Sequence, residues 1–331
     1  MSTDWHMLVE EERLFADMLS RVVADQIAPR AKNTDETGVF VGDQLAVLAE
    51  MGMLGANLPE VYGGGALSAP ALLRAIEIVA GGCGSTVSAL TAHYLATDSV
   101  LLGGTEAQKA AILPLAAAGE WLGAFALTEP GAGSDPGDMK TRAVRDRDGW
   151  RLTGSKCFIS NGGVADFLVV YAITDPDAGR RGVSAFVVMK DTPGFTAGPA
   201  EATMGLKGGH VFSLSFDCAL SSNALLGGAP GAGFRTAMQV LDNGRVDVAA
   251  QCLGLAGAAL SAATEYVKDR IVGGKPLADR QGLQWMLADA ATELTAARLM
   301  AQEAARQRDA GGRFSEIAAM AKLKASEVAD R

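Results

Sequence analysis

Apolar positions run through this chain in three successive textures. Up to about residue 122 they recur at helical spacing. Leu8, Phe15, Leu19, Val22 and Val23 fall near one face, with Glu10, Glu11, Glu12 and Arg13 mostly elsewhere, and Pro29 predicts the end of that helix. Gln44 to Met51 predicts a second helix before a turn at Gly52, and LPEVYGGG at 58 to 65 reads as a loop. Ala69 to Ala80 and Val87 to Leu102 are Ala/Leu-rich helical runs, and Thr105 is the expected N-cap of TEAQKAAILPLAAAG, with Glu106 in its first turn.

From about 123 to 222 the period shortens. Gly123 to Leu127 and Lys156 to Ile159 read as strands, as do FLVVYAIT, GVSAFVVMK and HVFSLSFDCAL, separated by the turn signals DPDAGR, DTPG and MGLKGGH. From about 228 helical spacing returns and runs to the end, broken at GGKP. Helix, strand, helix predicts an α+β protein with a helical domain at 1-122, a β domain at 123-225 and a second helical domain at 226-331.

Composition narrows the partners. A chain of 331 residues, nearly half of them apolar, can bury a large core. A net charge of −9 without a concentrated basic stripe argues against nucleic acid as the main partner. MSTDWHMLVEEERLF is acidic where an export signal is basic and apolar, so the expected location is cytoplasmic. The uncharged run from Ile78 to Thr97 is long enough to span a bilayer, but its Gly, Ser, Thr and His content predicts a buried helix and no membrane span. Cys83, Cys157, Cys218 and Cys252 are scattered and only three histidines occur, so neither a metal site nor a disulfide framework is expected.

Two loops carry the candidate chemistry: FALTEPGAGSD at 125 to 135 and GWRLTGSKCFISNGG at 149 to 163. Glycine lets backbone approach a ligand closely, and the hydroxyls of Thr128, Ser134 and Ser160 can donate to carbonyl or phosphate oxygens, which suits a large polar cofactor. GAGSDP and GAGFRT both lack the last glycine of G-x-G-x-x-G, and no GxxxxGK[ST] occurs, so neither a Rossmann nor a P-loop site is supported. TEPGAGSD followed by W-x-L-x-G-x-K-x-x-I-S-N-G resembles the acyl-CoA dehydrogenase family, and the resemblance covers essentially the whole chain.

The resemblance implies an N-terminal helical domain, a middle β-barrel or sandwich domain and a C-terminal helical bundle. It also implies FAD as cofactor and assembly as a homotetramer or dimer. Phe125, Ala126, Leu127 and Thr128 through Gly133 and Ser134 match the first flavin-contacting loop, and Phe158, Ile159 and Ser160 match the second. Taken alone, Phe158 reads as a core aromatic. Ser134 is implied near the acyl-CoA thioester arm, where Asp242 and Arg245 of LDNGR match a substrate-contacting D-x-x-R. Arg270 and Gln281 match a segment that meets the FAD phosphate and adenosine of a neighbouring subunit, with Gly273 where the family usually has Phe.

The activity implied is oxidation of a saturated acyl-CoA thioester, or an acyl-carrier-protein thioester, to the trans-2-enoyl product in fatty acid metabolism, by abstraction of the proton next to the thioester carbonyl and transfer of a hydride from the next carbon to flavin N5. Electrons pass on to an electron-transfer flavoprotein. Some members carry the catalytic Glu at the position of Gly244 and others on a later segment. The family pattern continues for about fifty residues past Arg331, so the expectations are, in order, a sequence that stops short of the protein, a shortened inactive member, or another carboxylate as base. Asp247 reads as a surface charge and Glu129 as either a structural hydrogen-bonding group or a solvent-exposed one, and no catalytic residue is assigned. The alternatives are a catalytically silent flavoprotein or acyl-CoA-binding subunit, and a flavin oxidase or monooxygenase on the same fold.

Overall fold

The computed structural model describes Trp5 and residues 7 to 331. Six helices lead: α1 Glu10–Val22, α2 Ala28–Thr37, α3 Gly42–Glu50, α4 Ala69–Gly82, α5 Gly84–Gly103 and α6 Glu106–Ala117. Pro29 does not end the first helix as its missing N–H predicts. A π-helical turn, Val23–Ile27, instead joins α1 to α2, with the Ala28 N–H donating to Val23 O. The wider turn reroutes the hydrogen bonds where a proline ring would strike the preceding turn's carbonyl. The uncharged run from Ile78 to Thr97 is likewise not one helix, because Cys83 adopts an extended conformation between α4 and α5. Thr105 caps α6 as expected, in a reciprocal capping box with Gln108.

The strands follow as β1 Gly123–Ala126, β2 Arg142–Asp146, β3 Gly149–Ser160, β4 Phe167–Ile173, β5 Val183–Met189, β6 Phe195–Ala200 and β7 Val211–Ser221. They form one mixed sheet in the order β1-β4-β2-β3-β7-β6, with β5 also paired to β4. FLVVYAI is buried at every position but the last, as expected of a strand covered on both faces, whereas β7 alternates buried and exposed residues. Trp150, Leu152, Phe186, Phe212 and Phe216 pack one core of the sheet, and Phe167, Val169, Tyr171 and Leu113 belong to a second. The remaining elements are α7 Gly233–Asp269, a hairpin of β8 Ile271–Val272 and β9 Lys275–Pro276, α8 Gln281–Asp309 and α9 Ser315–Asp330. Of the described helices, α7 is long and apolar enough to cross a membrane by length and composition alone. Its Ala237, Val240, Val246, Ala249, Ala250 and Leu253 are buried within the protein.

The chain divides into two compact units: residues 1–31, 67–87 and 245–331 form one, and 32–66 with 88–244 form the other. In the first, Arg298 of α8 donates through Nε and Nη2 to Glu77 Oε1 of α4 at 3.0 and 2.7 Å, a buried pair that ties the two helices. The same unit holds a cavity of about 580 Å³ lined by Arg74, Glu77, Leu260, Thr264, Leu294 and Arg298, among others. In the second unit, the start of β1 is fixed from α5. The Gly123 N–H donates to His93 Nδ1 at 2.9 Å, and a Cβ at Gly123 would stand 2.7 Å from Ala96 Cβ and Phe167 Cζ.

Burial pulls the His93 imidazole down to about 4, against the opposing effect of the Leu54 and Ala116 backbone. An unfolded histidine titrates near 6.5, so between there and about 4 the unfolded chain binds the extra proton and stability falls as pH falls. The loss approaches about 3 kcal/mol towards pH 4. His93→Gln keeps an acceptor for Gly123 without that titration. Urea midpoints measured from pH 7 to 4.5 should therefore fall less steeply in the variant, and parallel slopes would remove His93 as their cause.

Candidate active site

The candidate site of the β-containing unit is built where β1 ends and β3 bulges. β1 stops at Ala126, and the chain then makes a tight turn in which Glu129 and Ala132 exchange backbone hydrogen bonds at 3.1 Å. Gly131 and Gly133 in this turn are exposed, with open space where a Cβ would stand. The loop lies directly beside β3, because the Cys157 N–H donates to Thr128 O at 3.0 Å. Thr128 and Ser160 are half-exposed and Ser134 is exposed, so three hydroxyls remain within reach of a ligand.

β3 departs from its ladder with β7 between Lys156 and Ile159: Cys157 and Phe158 together stand opposite Ser213. This extra residue is a β-bulge. It holds Phe158 at φ 57°, a conformation that a bulky residue adopts only under constraint, and leaves the ring 70% exposed. The core placement predicted for Phe158 from its type alone is therefore wrong. Leu127 and Ile159 are buried, so only their backbone can meet a ligand, and Phe125 is half-buried with its ring 5.1 Å from that of Tyr171.

Beneath the two loops lies a group that sequence reading passed over. The Lys156 ammonium, 1% exposed, donates to Leu127 O and to Glu129 Oε1, both at 2.8 Å. Glu129 also accepts from the backbone N–H of Lys140 at 2.6 Å and of Thr141 at 3.0 Å. Burial pushes the Glu129 carboxyl up, but its bond to Lys156, the charge of that ammonium and the Thr141 and Lys140 donors outweigh it, leaving the group below the usual carboxylate range. Burial pulls the ammonium down to about 8 against the attraction of Glu129. A carboxylate so fully engaged is a structural acceptor; of the two readings its sequence context left open, solvent exposure is excluded. The K-x-x-I spacing was the available signal for Lys156, since a lysine inside an apolar strand must find a partner.

Asp242 and Arg245 lie on α7, both half-exposed. Sequence reading missed Asp98 of α5, 3% exposed, which accepts from Asn243 Nδ2 and Asn57 Nδ2 at 2.8 Å each. A Cβ at Gly244 would stand 2.7 Å from Leu95 Cδ2, so the end of the Leu95 side chain lies in the space that a side chain at 244 would enter. Asp247 is 3% exposed, which corrects its reading as a surface charge; it belongs to the inward face that includes Val246 and Ala250.

Arg270 and Gln281 belong to the other compact unit, with Arg245. Both are exposed; Arg270 follows α7 and Gln281 opens α8, on either side of the β8–β9 hairpin. Gly273 and Gly274 take φ 64° and 78° in its two-residue turn, the geometry that selects glycine at both positions. That explains the glycine at 273, and the Arg280 guanidinium, which donates to Val272 O at 3.0 Å, approaches the space a side chain there would enter.

Family models described as the N-terminal, middle and C-terminal domains of acyl-CoA dehydrogenase match residues 9–120, 124–218 and 231–331. The chain belongs to the acyl-CoA dehydrogenase family, a family of flavin-dependent enzymes. It is 40% identical to an acryloyl-CoA reductase (NADH) of Anaerotignum propionicum, over 97% of this chain and 82% of that protein. An acyl-CoA dehydrogenase of Bacillus subtilis is 39% identical over 97% of this chain and 85% of its own. The butyryl-CoA dehydrogenase structure from Megasphaera elsdenii superposes with a TM-score of 0.94 at 37% identity, covering 97% of this chain and 85% of that one.

Because Phe158 is held outside the core, Phe158→Ala should change the stability of the ligand-free chain by less than about 0.5 kcal/mol, whereas Phe216→Ala should cost roughly 3–5 kcal/mol. Urea denaturation of the two variants checks this; a large loss at 158 would mean that the ring is a packing element.

Proposed function

We propose that this chain oxidises a saturated acyl-CoA thioester to its trans-2-enoyl product with FAD. The observation that carries the reading is the exposed Phe158 on its bulge, beside the Thr128 loop and open space over Gly131 and Gly133. An aromatic surface flanked by hydroxyl and backbone donors fits a planar heterocycle with a polar edge. FAD, when bound, supplies the acceptor for the hydride that leaves the carbon beyond the one next to the thioester carbonyl.

The roles of the chain's own residues follow. Thr128 and Ser160 hydrogen-bond the flavin edge, while Phe158 and the backbone at Phe125, Leu127, Gly133 and Ile159 complete its bed. Ser134, Asp242 and Arg245 hold the polar arm of the acyl thioester. Arg270 and Gln281 serve the phosphate and adenosine of FAD held by a second copy, a role that requires a dimer or tetramer and suits the paired donors of a guanidinium. An electron-transfer flavoprotein takes the electrons.

One observation favours a second reading. Gly244 presents no carboxylate, and Leu95 fills the space beside it, which supports a flavoprotein that binds acyl-CoA without oxidising it. The likeness to an acryloyl-CoA reductase also leaves the physiological direction to be measured.

Full-length protein should take up FAD with visible flavin absorbance, and anaerobic addition of one member of an acyl-CoA series should bleach it. Phe158→Ala should weaken FAD binding at least tenfold while leaving the fold intact. Flavin uptake with no bleaching by any acyl-CoA would favour the silent reading, and bleaching only by NADH followed by reoxidation with an enoyl-CoA would favour the reductase direction. No flavin uptake would remove the proposal.

A further inference from the structure

Beyond Ala126 the first loop has left the sheet, so the ladder no longer sets its path. Three hydrogen bonds do. Leu127 O accepts from Lys156 Nζ at 2.8 Å, Thr128 O accepts from Cys157 N at 3.0 Å, and Glu129 Oε1 accepts from Lys156 Nζ at 2.8 Å. The other side of the Glu129 carboxylate reaches the start of β2 through the N–H groups of Lys140 and Thr141. One ammonium and one carboxylate thus join the end of β1, the bulge of β3 and the approach to β2.

Both charges point inward, at 1% and 6% exposure, while their neighbours in sequence point out: Thr128 is half-exposed beside Glu129, and Phe158 is exposed two residues after Lys156. The pair therefore reaches a ligand only through the backbone it holds. Its charges attract strongly because water is excluded, and every oxygen of the carboxylate has a donor. From this geometry we infer that Lys156 and Glu129 are positioning residues for the flavin: their ion pair fixes the Thr128 loop against the Phe158 bulge and thereby sets the affinity for FAD. The inference rests on the reading that these loops hold the flavin.

A pair that served only stability would behave differently when removed whole. Lys156→Met and Glu129→Gln each leave a buried group without its partner, and each should lower the melting temperature and weaken FAD binding. The double variant E129Q/K156M removes both charges, and the carboxamide oxygen introduced by E129Q accepts from one of the two backbone N–H groups, of Lys140 or Thr141, that bond separate oxygens of the wild-type carboxylate. Free of FAD, the double variant should melt above either single variant, because no buried charge is left unpaired, yet still bind FAD at least tenfold more weakly than wild type by fluorescence titration, with a changed flavin absorption envelope. Lys156→Arg, which keeps charge and donors, should stay within about threefold of wild type.

A double variant that melts above both single variants and binds FAD as tightly as wild type overturns the inference alone. So does a K156R chain that folds and binds FAD as weakly as K156M. Wild type that takes up no FAD fails the functional reading, and the inference falls with it.

Discussion

Backbone polar groups cut off from water must find partners, and at both ends of β1 the ladder cannot supply them all. Four buried side chains make up the difference. His93 accepts from Gly123 N, and Asn161 donates to Ala89 O and Gly123 O. Lys156 donates to Leu127 O, and Glu129 accepts from Lys140 and Thr141. A four-residue strand is thus held at each end by polar groups inside an otherwise apolar core. The glycine-rich turn that follows inherits its position from them.

The other compact unit solves a different problem with the same kind of bond. There a buried Glu77–Arg298 pair joins α4 to α8, and a small residue lets α7 approach α4: a Cβ at Gly254 would stand 2.3 Å from Glu77 O. Removing one partner of such a pair is costly because the remaining charge stays buried. Placing the charges inside fixes which residues of two helices face each other, a task that an alanine-rich surface performs poorly since its side chains interchange easily.

The sequence made the architecture legible because its hydrophobic period changes with each region. FLVVYAIT and GVSAFVVMK appear as β4 and β5, and Thr105 caps α6. It was less informative where one local rule was overridden by a neighbour. Pro29 predicts a stop that a π turn absorbs, and Phe158 is apolar but held out of the core by backbone geometry. β6, Phe195–Ala200, has exposed residues and no alternation, so nothing in its pattern marks a strand. The motif residues around the candidate site could be picked out by type and spacing, whereas Lys156 and Asp98 act through partners 27 and 41 residues away, which no local window contains.

The bulge in β3 gives chain length a meaning of its own. Trp150 and Leu152 enter the core from even positions and Ile159 from an odd one, because Cys157 and Phe158 share a single partner across the ladder. Deleting one of those two residues would return Ile159 to the same parity as Leu152, so the sheet could close up with its apolar face undisturbed. What would vanish is the left-handed backbone turn at residue 158, which sets where the aromatic ring projects beside the Thr128 loop. The scaffold would tolerate the shorter chain and the site would not, so in this part of the molecule recognition is written in the number of residues as much as in their kind.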